Sequence, residues 1–144
     1  TPKGVMRLLD YYGIEVEGRF AVIINRSDLV GKPLFKMLLD RNATVVVCHS
    51  KTRDVEKYCR QADILVSAVG RRPSFLITSK LVKEGAVVVD VGISYIGGKL
   101  YGDVDFDDVV SKASYVTPMP GGVGPMTRAM LLENTMIATG KQTK

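Results

Sequence analysis

The sequence is poor in the residues that build disulfide frameworks and metal sites. It has two cysteines, one histidine and no tryptophan among 144 residues. Cys48 and Cys59 form no Cys-x-x-Cys or histidine-rich pattern, so we expect reduced thiols and no metal. No apolar run reaches the roughly 18 residues of a membrane-spanning helix, and the first residues lack the shape of a signal peptide. These absences predict a cytoplasmic protein with no membrane role.

The net charge is +5, but no block of basic residues produces it. Basic residues are scattered and often alternate with acidic ones, which is typical of a solvated surface. The sequence also lacks a nucleic-acid recognition motif and a set of aromatic side chains on which bases could stack. A polyanionic small ligand is compatible with the charge, whereas nucleic acid is the least favoured partner.

The order of apolar segments predicts the fold. A hydrophobic content of 46% over this length is typical of one domain, residues 1–144, with a normal core. Continuous apolar runs alternate with amphipathic segments, which predicts an α/β fold with a doubly wound, mostly parallel, Rossmann-like sheet. We expect Thr52 to cap the third helix and Gly13 and Gly140 to end the first and last. The predicted strands are RFAVII, ATVVVC, DILVSAV, AVVVDVGI and ASYVT, and the predicted helices are residues 2–13, 32–42, 52–62 and 125–139.

The segment SYIGGKLYGDV departs from this alternation. Gly97 and Gly98 between two short strand-like pieces predict a β-hairpin that projects from the sheet as an arm. Such an arm pairs with another subunit or is a plain surface hairpin, and the sequence favours neither. Tyr95 and Lys99 have the Tyr-x-x-x-Lys spacing of short-chain dehydrogenases, but the two glycines oppose the helix that this motif requires. We therefore reject this pair as catalytic.

The residues after the first two strands indicate a dinucleotide site. A doubly wound sheet binds ligands beyond the carboxyl ends of its strands. In NRSDLVGKP, Asn25 stands where a turn glycine is usual, and we expect it to tolerate positive φ. Gly31 then opens a helix whose free amides form an anion site.

The end of the second strand favours NADP over NAD. NAD-binding folds usually place a carboxylate there for the ribose hydroxyls, but this strand is followed by HSKTRD. Ser50, Lys51 and Arg53 offer a hydroxyl and positive charge for a 2′-phosphate, with Arg26 reaching from the first loop. The alternative is a helix start with solvated cations. His49 is expected to contact the loop or the adenine and not to act as a general base.

The segment TPMPGGVGPMT before the last helix has a stiff backbone with few side chains. Such a backbone suits close approach of a flat or phosphorylated ligand, although a structural crossover into the helix would look similar. Together with NRSDLVGKP, TVVVCHSKT, ADILVSAVG, GAVVVDVGI and GDVDF, this segment resembles the cofactor-binding domain of the bifunctional methylenetetrahydrofolate dehydrogenase/methenyltetrahydrofolate cyclohydrolase. The resemblance covers nearly the whole chain in the family's order.

The resemblance implies an NADP site and its residues. Asn25, Arg26 and Ser27 would lie under the cofactor phosphates, and Ser50 would hold the 2′-phosphate together with Arg26. The ribose and nicotinamide would be lined by a second group, Ala68, Ile93, Gly124 and Thr127. The sequence departs from the family in three places: Asn25 replaces a glycine, Ser94 replaces an asparagine, and residues 70–85 form a longer segment.

The resemblance also implies that the reaction needs a second domain. In the family, the folate site and the catalytic lysine belong to an amino-terminal domain that precedes the TPKGV segment. We therefore expect no catalytic residue in this chain, no activity of the chain alone, and terminal helices (about 2–13 and 125–139) that reach toward the missing domain. A homodimer formed through this domain is expected. The alternatives are a non-catalytic NADP-sensing module and another Rossmann enzyme, such as a methyltransferase.

Overall fold

The protein is described by a computed structural model that covers residues 1–142. Five strands form one parallel sheet in the order β2-β1-β3-β4-β7, and two further strands form a separate hairpin. The doubly wound, mostly parallel sheet is confirmed. The strands are β1 (Phe20–Ile24), β2 (Thr44–Cys48), β3 (Ile64–Ser67), β4 (Val87–Asp90), β5 (Ser94–Ile96), β6 (Lys99–Tyr101) and β7 (Tyr115–Val116). The helices are α1 (Pro2–Tyr11), α2 (Gly31–Leu39), α3 (Val55–Cys59), α4 (Phe106–Val109) and α5 (Val123–Gln142).

The central strands are apolar except for Ser67 and Asp90 at the ends of β3 and β4, as expected for a sheet covered on both faces. Alternate residues of β1 point to opposite faces, so Ala21 and Ile23 join one core cluster and Val22 and Ile24 join the other. The first cluster includes buried residues of α1 and α2. The second includes Cys59 of α3 and partly buried residues of the segment before β4. In this register Phe20 of β1 lies opposite Thr44 of β2, and Ala21 lies opposite Ile64 of β3.

The two terminal helices pack closely against each other. A Cβ atom at Gly4 of α1 would lie 3.2 Å from the backbone and Cβ of Met126 in α5, so the missing side chain allows this approach. Helix α1 starts at Pro2, as predicted, and ends two residues before Gly13, whose φ is +63°. Beyond this contact α5 is mostly exposed, although it carries several apolar side chains.

Thr52 and Gly140 do not have the helix-boundary roles predicted for them. Helix α3 begins at Val55, with Asp54 at the cap position, and the Thr52 hydroxyl instead accepts a hydrogen bond from the amide of His49 at 2.9 Å. Thr52 therefore stabilises the turn before the helix and not the helix itself. Helix α5 continues through Gly140 to Gln142. One glycine inside a helix costs only about 1 kcal/mol, which need not end the helix.

The projecting hairpin is confirmed. Strands β5 and β6 pair antiparallel, with Ser94 opposite Tyr101, and Gly97 and Gly98 both have positive φ in the turn. Tyr95 and Lys99 lie on different strands of this hairpin, so they do not share a helix face. Their rejection as a catalytic pair agrees with this geometry.

The carboxyl group of Asp90, at the end of β4, is buried beneath the base of the hairpin. Asp90 is 2% exposed, and its carboxyl oxygens accept hydrogen bonds from the backbone amides of Gly92, Asp103 and Val104. Burial outweighs these hydrogen bonds and raises the pKa of Asp90 from 3.8 to about 6. The folded protein therefore binds this proton more tightly than the unfolded chain does.

A raised pKa in the folded state makes stability fall as the pH rises between about 4 and 6. The difference of about two pH units corresponds to about 3 kcal/mol of unfolding free energy. We expect the stability advantage of the wild type over Asp90→Asn to shrink by this order across the window, measured by urea unfolding at several pH values. Asp63→Asn is the control, because its partner Lys83 lowers the pKa of Asp63 and its titration lies below the window. A stability difference between wild type and Asp90→Asn that does not vary with pH would contradict the assignment.

Candidate functional site

A cavity of about 510 Å³ opens at the carboxyl ends of β1, β2 and β3. The chain leaves β1 in one direction to form β2 and returns on the other side to form β3, so the strand order reverses here. Ligands of doubly wound sheets bind at such a reversal. Three strand ends and the segments that follow them line the cavity: Ile24, Asn25, Arg26 and Ser27 from β1 and its loop; Cys48, His49, Ser50, Thr52 and Val55 from the end of β2 to the start of α3; Val69, Arg71, Ser74 and Phe75 after β3.

The side chain of Asn25 organises the first of these loops. Its Oδ1 accepts hydrogen bonds from the Ser27 amide at 2.8 Å, the Ser27 hydroxyl at 2.7 Å and the Gly31 amide at 3.1 Å. Its Nδ2 donates to the Ala68 carbonyl at 2.7 Å, just beyond the end of β3. One carboxamide thus shapes the β1–α2 loop and joins it to the neighbouring strand.

Our explanation of Asn25 from its backbone was wrong. Among the described residues, the non-glycine positions with positive φ are Asn42 and Asp54, not Asn25. The prediction considered only the φ that a glycine would adopt, whereas the side chain supplies the hydrogen bonds. Gly31 is the position where a side chain is excluded, because a Cβ atom there would overlap the backbone oxygen of Asn25.

The amino-terminal amides of α2 are less available than predicted. The Gly31 amide donates to Asn25, and the Val30 amide donates to the Ser27 hydroxyl at 3.1 Å. The prediction of an anion site formed by free amides at Gly31 is therefore wrong, because side chains of the preceding loop satisfy them. Side chains around the cavity are left as the main source of positive charge for a ligand.

The cavity lining carries two arginines and no carboxylate. Arg26 and Arg71 are exposed, and in residues 1–142 neither guanidinium has a hydrogen-bond or ion-pair partner in the protein. Ser50 lies in the same lining, in the turn after β2. Arginine binds phosphate through several donors at once, so this lining suits a phosphorylated ligand.

The turn after β2 holds His49 in one orientation. The His49 amide donates to Thr52 Oγ1 at 2.9 Å, and His49 Nδ1 accepts the Lys51 amide at 3.1 Å. Because Nδ1 is an acceptor, the proton of the neutral imidazole is on Nε2. The loop contact expected for His49 is present. Lys51 and Arg53, which we predicted as further positive charges near a 2′-phosphate, are not part of the lining.

The sequence analysis missed the loop after β3 as a wall of the cavity. Arg71, Ser74 and Phe75 lie in the segment noted only for its length. The Arg71 carbonyl accepts the Ser74 hydroxyl at 2.6 Å and the Phe75 amide at 3.1 Å, which closes the loop into a turn. The basic and turn-forming residues of GRRPS could have indicated an anion-binding loop. That this loop lies beside the ends of β1 and β2, however, follows only from the strand order.

The four residues expected around the ribose and nicotinamide do not line this cavity. Ala68 is tied to Asn25, and the exposed Ile93 has its backbone beside Gly70 of the β3 loop. Gly124 and Thr127 belong to α5 and do not line the cavity. Thr127 Oγ1 contacts Thr1 Oγ1 at 3.0 Å and donates to a carbonyl of its own helix. The cofactor roles of these four residues stay predictions.

The Pro-Gly segment forms a compact turn beside β4. The Gly122 amide donates to the Pro118 carbonyl at 3.0 Å, and a Cβ atom at Gly122 would lie 2.6 Å from that oxygen. The Thr117 hydroxyl accepts the Asp90 amide at 2.8 Å, which fixes the segment to the end of β4. One hydrogen bond therefore closes the turn, and the other attaches its start to β4.

The two cysteines are free and buried. Burial raises the pKa of Cys48 and raises that of Cys59 to about 12, so neither is a reactive thiolate near neutral pH. Within residues 1–142 no group of three or more histidine, cysteine or acidic side chains could hold a metal ion. No helix in this part of the chain is long and apolar enough to cross a membrane.

The family model for the tetrahydrofolate dehydrogenase/cyclohydrolase NAD(P)-binding domain matches residues 1–143 of this sequence. The chain belongs to this family. The bifunctional protein FolD of Nitrosopumilus maritimus is 58% identical to it over 138 residues, 96% of this chain and 48% of the relative. This NAD(P)-binding domain thus spans about half the length of the curated relatives it matches.

Solved structures agree with the assignment. The bifunctional FolD from Campylobacter jejuni has a TM-score of 0.92 at 53% identity, covering 98% of this chain and 50% of that one. The Trypanosoma brucei enzyme, solved with NADP cofactor and an inhibitor, has a TM-score of 0.91 at 38% identity, covering 99% and 50%. The family resemblance and the Rossmann-like fold of the NAD(P)-binding domain are confirmed.

Replacing Asn25 by alanine should destabilise the domain by about 2 kcal/mol, because two backbone amides and the Ala68 carbonyl lose their partner. Chemical unfolding of the variant and the wild type measures the difference. Asn134→Ala is the matched control, since the exposed Asn134 side chain accepts one hydrogen bond within residues 1–142, from the Lys3 ammonium group, and it should change stability by about 0.5 kcal/mol or less. Equal effects of the two substitutions would show that Asn25 does not organise the loop.

Proposed function

We propose that this domain binds NADP as the hydride acceptor of a 5,10-methylenetetrahydrofolate dehydrogenase, whose parent protein also hydrolyses the methenyl product to 10-formyltetrahydrofolate. The observation that carries the proposal is the cavity at the strand reversal, whose lining includes Arg26, Ser50 and Arg71 and no carboxylate. Membership of the NAD(P)-binding family and the NADP complex of the Trypanosoma brucei relative support it.

The preference for NADP follows from charge at the end of β2. A carboxylate in this turn would accept hydrogen bonds from the ribose hydroxyls of NAD and would repel a 2′-phosphate. Ser50 occupies the turn, and Arg26 faces the same cavity from the β1 loop. The nearest acid along the chain, Asp54, is exposed and does not line the cavity. We therefore assign the 2′-phosphate to Arg26 and Ser50.

The other predicted residues are assigned to the parts of NADP between its adenosine and its nicotinamide ring. Asn25 and Ser27 would support the phosphates, and Ala68, Ile93, Gly124 and Thr127 would line the ribose and nicotinamide. NADP supplies the nicotinamide that accepts the hydride, while the protein binds and orients it. The rigid Pro-Gly turn and the fixed end of β4 would form the wall on that side. Among residues 1–142 we assign no catalytic residue.

The folate site and the catalytic lysine would come from the other half of the parent protein. Four apolar side chains of α5 are between 47% and 75% exposed, which supports this helix as the face toward that domain: Leu131, Leu132, Met136 and Ile137. The projecting hairpin is proposed to pair with a second copy in a homodimer. The parent protein is proposed to act in the cytoplasm, without nucleic-acid or membrane partners.

Calorimetric titration of the chain should show tighter binding of NADP than of NAD. Arg26→Ala and Ser50→Ala should each weaken NADP binding by about tenfold and leave NAD binding nearly unchanged, because each removes a 2′-phosphate contact. Arg60→Ala is the control, since Arg60 pairs with Glu56 on α3 outside the cavity. Equal or stronger binding of NAD would overturn the 2′-phosphate assignment.

The isolated chain should form no NADPH from 5,10-methylenetetrahydrofolate, because it carries only the cofactor half of the site. The same assay on the parent protein with both halves should show NADPH formation, followed by absorbance. Substantial activity of the chain alone would contradict the division of the site. NADP binding without any activity of the parent protein would favour a non-catalytic NADP-sensing module.

A further inference from the structure

The side chain of Asp103, just after β6, is completely buried and is bonded to the end of a distant strand. Its Oδ2 accepts the Ser67 hydroxyl and the Val69 amide, both at 2.7 Å, and its Oδ1 accepts the Gly70 amide at 2.8 Å. All three donors belong to the end of β3 and the loop that follows. Hydrogen bonds to a carboxylate are stronger than those between neutral groups, so this side chain is a strong tether for that loop.

The backbone of Asp103 is held equally firmly. The Asp103 amide donates to Asp90 Oδ1 and the Val104 amide to Asp90 Oδ2, both at 2.9 Å. The Asp103 carbonyl accepts the Ile77 amide at 2.8 Å. The tether is therefore anchored to the end of β4 and to the segment before it.

Two glycines leave room for this arrangement. A Cβ atom at Gly92 would overlap the Asp103 carboxylate, and one at Gly102 would overlap the Asp90 carboxylate. Neither glycine has a φ in the left-handed region, so space and not backbone conformation requires them. The sequence thus carries four positions that fit one another: two buried acids and two residues without side chains.

The loop held by Asp103 is the third wall of the cofactor cavity. Val69 and Arg71 line the cavity, and Gly70, which bonds to Asp103, lies between them with φ of +65°. On the other side of the same segment, the Ala68 carbonyl is held by Asn25. Asp103 does not line the cavity. Its carboxylate therefore makes no direct contact with a ligand in the cavity, and its hydrogen bonds act on the position of this wall.

We propose that Asp103 is a positioning residue for the cofactor site: its carboxylate fixes the β3 loop against the base of the hairpin and so sets the place of Val69 and Arg71. The inference rests on the proposed binding of NADP in this cavity. A purely structural role predicts a loss of stability only. A positioning role predicts that affinity falls even under conditions where the variant is fully folded.

The direct test is NADP titration of Asp103→Asn at a temperature where unfolding curves show the variant to be folded. An asparagine can present one acceptor oxygen but turns an N–H group toward the Gly70 or Val69 amide. We expect NADP binding to weaken by about tenfold, the effect of one lost hydrogen bond in a buried site. NADP affinity equal to that of the wild type would overturn the proposal.

Asp63→Asn is the matched control. The Asp63 carboxylate also accepts a backbone amide, from Phe20 at 2.9 Å, but it precedes β3 at the opposite edge of the sheet. We expect this variant to lose stability and to bind NADP within about twofold of the wild type. An affinity loss equal to that of Asp103→Asn would show that any destabilisation weakens binding and would also overturn the proposal.

Amide hydrogen exchange supplies a readout that needs no cofactor. The Val69 and Gly70 amides should exchange faster in Asp103→Asn than in the wild type and should keep their wild-type rates in Asp63→Asn. If the wild-type chain binds no NADP, the proposed function fails, while unchanged exchange at these two amides would refute the tether itself. If Asp103→Asn does not fold, Ser67→Ala removes one donor to the same carboxylate. It should weaken NADP binding by about twofold and speed exchange at Gly70, and wild-type values for both would overturn the proposal.

Discussion

The cofactor cavity depends on the carboxamide of Asn25, which joins the loops that follow two neighbouring strands, β1 and β3. At this reversal the connections after β1 and β3 leave toward opposite faces of the sheet, and the pairing of the two strands ends at Ile24 and Ser67, which leaves a gap between the two loops. Asn25 spans this gap by accepting from the β1–α2 loop and donating to the end of β3. The same side chain satisfies an amide at the start of α2, so loop shape, helix start and strand spacing depend on one group.

The loops that form the cavity are fixed by hydrogen bonds, and its exposed charged side chains are basic. The buried carboxylate of Asp103 holds the β3 loop, and the exposed side chains of Arg26 and Arg71 have no protein partners in the described part of the chain. Fixed loops reduce the entropy lost on binding, and unpaired guanidinium groups attract a polyanion. The arrangement suits a ligand with phosphates at one end and a flat ring at the other.

The sequence predicted the regular elements better than the loops. Continuous apolar runs such as FAVII and ILVS have few alternatives to buried parallel strands, and paired glycines leave little choice at the hairpin turn. Thr52, Gly140 and Asn25 were misinterpreted because each has a local preference that a tertiary contact or a neighbouring segment overrides. The wall formed by Arg71 and Phe75 could not be placed, since its neighbours are fixed by strand order and not by distance along the chain.

The most direct test of the account is to locate NADP on the chain by following backbone amide NMR signals during titration. We expect the largest shifts in the three loops that line the cavity, at residues 25–27, 49–52 and 69–75, with smaller changes in α5. Shifts confined to the opposite edge of the sheet, around Arg19 and Lys83, or no shifts at any concentration, would contradict a cofactor site at the strand reversal.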